Sequence, residues 1–369
     1  MFEQGYYKNL GLGEIARRVW DGQRLSIEDG ERLFACPDVL AVGSLAHLAR
    51  TRISGQKAYY VVNRHINYSN VCVNGCRFCA FSRKKGDPLA FELSEEQILE
   101  KIGSCANKLT EIHVVGGCHP DLPLIFFEKL IGKIKELQPQ AMIKAFTAVE
   151  IAHFAKKEGI TVGEVLARLK AAGVRMLPGG GAEVFSDRVR KLLCPEKLDA
   201  RGWLAVVRQA HEIGIKSNAT MLYGHIETPR ERVEHMVALR ELQDSTGGFV
   251  CFIPLAFQPA NTPLGQMPPT TGVDDLKTIA VSRLMLDNFA HIKAYWVMLT
   301  VKLAQTALYF GADDFDGTVV EEKIGHMAGA QSQQAMTRSE IEGIIRDGGF
   351  EPVERDSLFG AVARTVAGG

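Results

Sequence analysis

Between residues 57 and 319 the chain alternates two kinds of hydrophobic pattern. Short runs rich in β-branched and aromatic residues read as buried parallel strands. Longer stretches with an apolar residue every three or four positions read as amphipathic helices. Strands are expected at 57–63, 111–115, 141–146, 173–177, 215–222, 249–255, 292–298 and 314–319. Helices are expected over Ser94–Leu109, Leu124–Leu137, Val149–Ala172, Asp199–Ile213, Arg230–Asp244 and Val273–Ala290. Eight strand–helix alternations predict an α/β fold, a (β/α)8 TIM-type barrel. Residues from about 8 to 56 read as three amphipathic helices: one from Leu10, one capped by Ser26, and one over Pro37–Arg50. The tail opens a capped helix at Thr337-Arg338-Ser339-Glu340 and closes with 350–356. The expected organisation is an N-terminal helical lead-in (1–56), the barrel (57–330) and a C-terminal cap packed on it (331–369).

Composition narrows the function. The chain has 369 residues, is 46% hydrophobic and carries 43 basic and 43 acidic side chains, a net charge of zero. A large core is affordable, while no basic excess points to nucleic acid or to a membrane surface. Met1 to Lys8 lacks the basic-then-apolar order of a signal peptide. The longest apolar stretch, Ala294 to Phe310, is broken by Lys302 and Gln305 and reads as a strand followed by a helix. The eight cysteines form no disulfide framework, which fits a reduced compartment, the cytoplasm.

Three of those cysteines are not scattered. Asn70-Val71-Cys72-Val73-Asn74-Gly75-Cys76-Arg77-Phe78-Cys79-Ala80-Phe81 follows the first strand with C-x3-C-x2-C spacing. Three thiolates can hold three irons of a four-iron cluster and leave the fourth iron open for chemistry. The same spacing lies on one helix face, but Gly75, Val71, Val73 and the asparagines make a poor helix. Ordinary core cysteines are the bland alternative. A non-catalytic electron carrier, or a zinc site with His65 or His119 as fourth ligand, also stays open on spacing alone.

In a barrel the site lies beyond the C-terminal ends of the strands, and unusual residues gather there. The second strand ends in Gly116-Gly117-Cys118-His119. The third ends in Thr147-Ala148-Val149-Glu150, which is also the T-x-x-E pattern of a capping box. The fourth runs into Gly179-Gly180-Gly181 and Glu183, a loop whose amides suit a cavity wall and a carboxylate. Candidates for meeting a substrate are Asn67, Tyr68, His119, Arg175, Gly179, Gly180, Gly181, His225 and Gln258. Against them stand plainer roles: His225 bonding a neighbouring carbonyl, Arg175 in an internal ion pair, Cys118 as packing.

The triad, with Phe78 ahead of its last cysteine, resembles the signature of the radical S-adenosylmethionine (radical SAM) enzymes. That resemblance implies a [4Fe-4S] cluster on Cys72, Cys76 and Cys79, with S-adenosyl-L-methionine on the open iron. It also implies cofactor contacts from Phe78, Gly116, Gly117, Thr147, Glu150, Glu183 and Ile226, the last beside adenine. Within that superfamily, Asn63–Cys72, Val115–Pro120, Lys144–Ile151 and Leu177–Phe185 are similar to the aminofutalosine synthase family of menaquinone biosynthesis. Its relatives, the cyclic dehypoxanthine futalosine synthases and the F0-synthase-type enzymes, usually carry Ser-Pro-x-Glu where this chain has Thr147-Ala148-Val149-Glu150. The resemblance implies a transferase with S-adenosylmethionine as radical source and co-substrate. It further implies an aryl enol ether dicarboxylate as small-molecule substrate and a reducing donor such as flavodoxin or ferredoxin.

Overall fold

The computed structural model describes residues 4–105 and 109–362. Among the described residues there are ten strands: β1 Lys57–Val61, β2 Asn63–Asn67, β3 Glu111–Val115, β4 Met142–Ala145, β5 Val174–Leu177, β6 Lys216–Tyr223, β7 Phe249–Ala256, β8 His291–Ile292, β9 Asp314–Gly317 and β10 Glu351–Glu354. β2 to β8 form one seven-stranded sheet in chain order, all parallel. β1 lies between β10 and β9 in a second sheet, again parallel.

The segment 313–320 closes the ring between the two sheets. The amides of Asp313 and Ala294 link it to β8 (Asp313 N to Ile292 O, 3.0 Å; Ala294 N to Asp314 O, 2.8 Å). The amides of Tyr59, Thr318 and His65 link it to the first strands (Tyr59 N to Asp313 O, 2.8 Å; Thr318 N to Val61 O, 3.1 Å; His65 N to Val320 O, 3.0 Å). The result is a TIM-type α/β barrel whose last interval is stitched by single hydrogen bonds. The one strand expected at 57–63 is two, parted at Val62, because its first half pairs outward with β10 and its second half pairs with β3.

Other boundaries depart from expectation for local reasons. The helix expected over Val149–Ala172 is two, Ala148–Glu158 and Val162–Ala172. Gly159 ends the first in a left-handed conformation (φ 67°), and Thr161 with Glu164 builds a capping box for the second. The strand expected over 292–298 stops at Ile292, and Trp296–Leu299 is a helical turn. There Lys293 turns inward to Asp316, and Trp296 Nε1 donates to Gly317 O at 3.0 Å, which draws the chain off the ladder. The lead-in holds four helices, Gln4–Asn9, Gly13–Trp20, Ile27–Ala35 and Val39–Ser54, rather than three. Helix Asp187–Leu193 and strand β10 were not expected. The helix begun at Ser94 runs Glu95–Gly103, and residues 106–108 of the expected span lie outside the described residues. Among the described residues no helix is long and apolar enough to cross a membrane.

Candidate functional site

The C-terminal strand ends and the cysteine loop enclose a cavity of about 310 Å³. Cys72, Cys76, Cys79 and Phe78 line it, and the loop is not helical. Backbone bonds shape that loop: Cys72 N to Arg83 O (2.9 Å), Val73 N to Cys118 O (3.0 Å) and Cys79 N to Cys76 O (3.2 Å). Its outer turn is tied to the chain after β5, through Gly75 N to Glu196 Oε2 (2.8 Å) and Arg77 N to Leu193 O (2.8 Å). All three cysteines are free and half-buried.

Their surroundings differ. Burial pushes the Cys76 thiol up to about 12. Cys72 is lowered to about 6, chiefly by its hydrogen bond with the Cys118 thiol, against burial. Cys118 also donates its amide to Cys72 Sγ at 3.3 Å, so it supports the loop rather than merely packing behind it. Burial works against the Lys197 ammonium, but Glu183 beside it raises its pKa. Lys197 also sits 5.4 Å from the centre of the Phe78 ring.

Gly116 and Gly117 line the cavity, but their lack of a side chain answers to the protein. A methyl group on Gly116 would meet the Tyr68 ring at 2.6 Å. One on Gly117 would meet Val71 O at 2.2 Å and Cys72 Cβ at 2.9 Å. Both glycines let the β3 tip lie flat against the cysteine segment.

Thr147 is the N-cap of helix Ala148–Glu158, with the reciprocal Glu150 bond of a full capping box. Glu150 does more than cap. One oxygen accepts from Tyr68 OH (2.9 Å) and Gly116 N (3.1 Å), the other from Thr147 N (2.7 Å) and Thr147 Oγ1 (2.8 Å). Burial pushes its carboxyl up to about 7 against those four bonds.

Thr147, Glu150, Gly180, Gly181, Glu183 and Gln258 also line the cavity. Other candidates are placed elsewhere. Arg175 is exposed on the outer face of β5 and donates to Lys170 O at 2.9 Å, with no ion pair among the described residues. His119 is buried, accepting at Nδ1 from the amides of Asp121 and Leu122 and pairing at Nε2 with Glu92 (2.8 Å). His225 pairs with Glu227, itself bound by Arg232, and not with a carbonyl. Ile226 is not on the cavity wall; Leu222, within β6, is. Gly179 presses on the β6 backbone, where a methyl group would lie 2.4 Å from Asn218 O. Tyr68 is spent on Glu150 and Gly117 O. Asn67 ties Val115 O to the Lys323 amide.

The cavity is also lined by His65, which the sequence offered only as a possible zinc ligand, and by His113, Lys144, Lys197, Lys293, Asp316 and Glu322, which were not among the candidate site residues. In β2, β3 and β4, strict alternation would have flagged them: Asn63-x-His65 and Glu111-x-His113 point inward where a barrel normally packs branched apolar residues. The rim is strained. Phe146, Glu183, Asp316, Val319 and Glu321 all hold positive φ, between 47° and 74°. Among the described residues no three Cys, His, Asp or Glu side chains converge as a single metal ion requires. Of the two histidines that could serve as a fourth zinc ligand, His119 is engaged as above, and His65 stacks on His113 with its Nε2 3.5 Å from Asn63 Nδ2.

The chain is similar to known proteins along most of its length. The radical SAM superfamily matches residues 66–239, and the CofH/MqnC C-terminal region matches 246–365. The aminodeoxyfutalosine synthase of Thermus thermophilus is 47% identical over 350 residues, covering 94% of each chain. That of Streptomyces coelicolor is 42% identical over 94% of this chain and 92% of its own. The 5-amino-6-(D-ribitylamino)uracil–L-tyrosine 4-hydroxyphenyl transferase of Methanopyrus kandleri is 41% identical over 90% and 93%. Among solved structures, methylornithine synthase superposes with a TM-score of 0.74 at 18% identity, over 91% of this chain and 96% of that one, which speaks to the fold. The chain belongs to the aminodeoxyfutalosine synthase family of the radical SAM superfamily.

Proposed function

We propose that the chain is an aminodeoxyfutalosine synthase whose cysteine loop holds a [4Fe-4S] cluster and whose cavity takes S-adenosyl-L-methionine and 3-[(1-carboxyvinyl)oxy]benzoate. The observation that carries this reading is the opening of three free thiols, C-x3-C-x2-C, onto one cavity wall beside the partly buried Lys197–Glu183 ion pair. Three soft donors leave one iron without a protein ligand, which suits a chelating cofactor. Held there, the cluster and cofactor would supply a 5′-deoxyadenosyl radical for addition to the enol-ether carbon, in a net reaction that takes up water, releases methionine and one carboxylate as bicarbonate, and gives 6-amino-6-deoxyfutalosine.

The chain's own part is to hold and to dry. Cys72, Cys76 and Cys79 ligate the cluster, with Phe78 and Lys197 packed beside it. The backbone of Gly116 and Gly117 borders the methionine end of the cofactor, and Thr147 and Glu183 offer oxygens toward its sugar and amine. Glu150, with all four acceptor positions taken, holds Tyr68, Gly116 and Thr147 in register rather than reaching the ligand. Val115, Leu222, Ile253, Leu255 and Phe257 give the apolar wall that keeps water from the radical. A cytoplasmic flavodoxin or ferredoxin supplies the electron.

The test is an anaerobic assay of reconstituted protein with dithionite, S-adenosylmethionine and the enol ether, read by mass spectrometry. An adduct joining the adenosyl skeleton to the benzoate, absent in Cys76→Ala, is expected. Free 5′-deoxyadenosine alone would overturn the substrate assignment and turn attention to 5-amino-6-(D-ribitylamino)uracil with tyrosine, the pair named for the 41% relative. No cleavage by a verified four-iron cluster would overturn the catalytic reading.

A further inference from the structure

The middle of the barrel is polar. Parallel register sets His65 beside His113 and His113 beside Lys144 on three neighbouring strands, all three facing the cavity. Lys293 reaches the same layer from beyond β8. The outward residues of β3, Ile112 and Val114, are fully buried against helices, so the inward face carries the exception.

Counting hydrogen-bond capacity shows what this layer lacks. Lys144 Nζ donates to Glu111 Oε1 at 2.6 Å and makes no other hydrogen bond among the described residues. An ammonium has three donors, so two are unspent. Lys293 Nζ bonds Asp316 and lies 3.4 Å from Asp314. The carboxylates nearby are already held from the far side. Glu111 Oε2 accepts from Ser357 Oγ (2.8 Å), and Asp314 takes both arms of Arg355 (2.6 and 3.2 Å). His113 stacks on His65 with ring centres 4.4 Å apart, and among the described residues neither of its ring nitrogens has a hydrogen-bond partner. Burial, with the neighbouring His65 and Lys144, lowers its pKa well below the ordinary range, so the ring is neutral and offers one N–H. The layer has donors to spare and asks for an acceptor.

We propose that His113 and Lys144 form a carboxylate subsite that receives the benzoate carboxylate of the substrate. This rests on the function proposed above, which puts the enol-ether end near the cysteine loop. The aromatic ring then lies along Val115, Leu222 and Leu255, and its acid points down to the polar layer. Lys144, Lys293 and Arg355 balance Glu111, Asp314 and Asp316, so directional hydrogen bonds rather than surplus charge hold the ligand.

Lys144 is a hazardous place to test this, because its loss leaves Glu111 buried without its partner. His113 has no partner to orphan. Reconstituted holoenzyme, without reductant, is titrated calorimetrically with 3-[(1-carboxyvinyl)oxy]benzoate and with the same enol ether lacking the ring carboxylate. Wild type is expected to prefer the dicarboxylate by about ten-fold or more, the scale of a hydrogen bond to a charged group. His113→Leu, which leaves Lys144 in place, is expected to reduce that preference several-fold while its melting temperature and its affinity for S-adenosylmethionine stay unchanged. His113→Gln, which keeps an N–H donor, restores part of it. A His113→Leu protein that keeps the full preference overturns the subsite and leaves the proposed function standing, as does a wild type that binds both ligands equally. A wild type that binds neither overturns the functional reading and the subsite with it.

Discussion

Glu150 binds together three strand tips that the chain visits in turn, at Tyr68, Gly116 and Thr147. A glutamine there keeps one acceptor oxygen and sets an amide N–H2 against donors it cannot serve. Glu150→Gln is expected to lose about 1–3 kcal/mol, the penalty of an unsatisfied buried group, in denaturant unfolding. His326 makes a second residue-scale case. Its Nδ1 faces Glu322 O (2.7 Å) and Oε2 (3.2 Å), and its Nε2 faces Ser332 O (3.2 Å). Acceptors at both nitrogens require the imidazolium, and Glu322 raises its pKa to about 9. The folded state therefore binds the proton more tightly than the unfolded chain. Its stabilising contribution is complete below about pH 6.5 and is lost as pH rises through about 9. Melting temperatures across that window should fall in wild type and fall less in His326→Gln.

At the scale of elements, the cysteine loop depends on the strand tip pressed against it. Gly117→Ala puts a methyl group 2.2 Å from the Val71 carbonyl, which is backbone and cannot step aside. The expected result is a protein with unchanged far-ultraviolet circular dichroism whose iron and sulfide per chain after reconstitution fall to less than about half of wild type. The loop itself was legible, because three cysteines at fixed spacing after an apolar run have few other uses. The helix break at Gly159 was written as plainly, in Thr161 to Glu164, yet amphipathic periodicity ran across it and hid it. The early end of β8 was not legible at all. Apolar residues 294–299 suit a strand, and only the inward pull on Lys293 and Trp296, from residues some twenty positions later, curls them into a turn.

The whole molecule is clasped by its own C-terminal segment. Arg355, buried, grips Asp314 on β9 while β10 runs beside β1. Arg355→Met leaves the buried Asp314 with Lys293 and the Asp316 amide but without its guanidinium, and is expected to cost about 3–5 kcal/mol in chemical denaturation. The sequence marked this tail as a cap but not as a strand. Glu351-Pro352-Val353-Glu354 has no alternation and a proline, and it becomes a strand because β1 offers it an open edge. The polar layer was legible only to strict alternation: a lone lysine or histidine within a short strand passes for an outward residue, whereas register sets His65, His113 and Lys144 side by side. The pairing of residue 57 with residue 351 also sets a clock. At the usual pace of translation, 5–20 residues per second, roughly 15–60 seconds separate the emergence of the first strand from that of its outer neighbour. For that interval the nascent chain carries its three thiols on a barrel still lacking its clasp, so cellular yield should track how well iron delivery and chaperoning cover the wait.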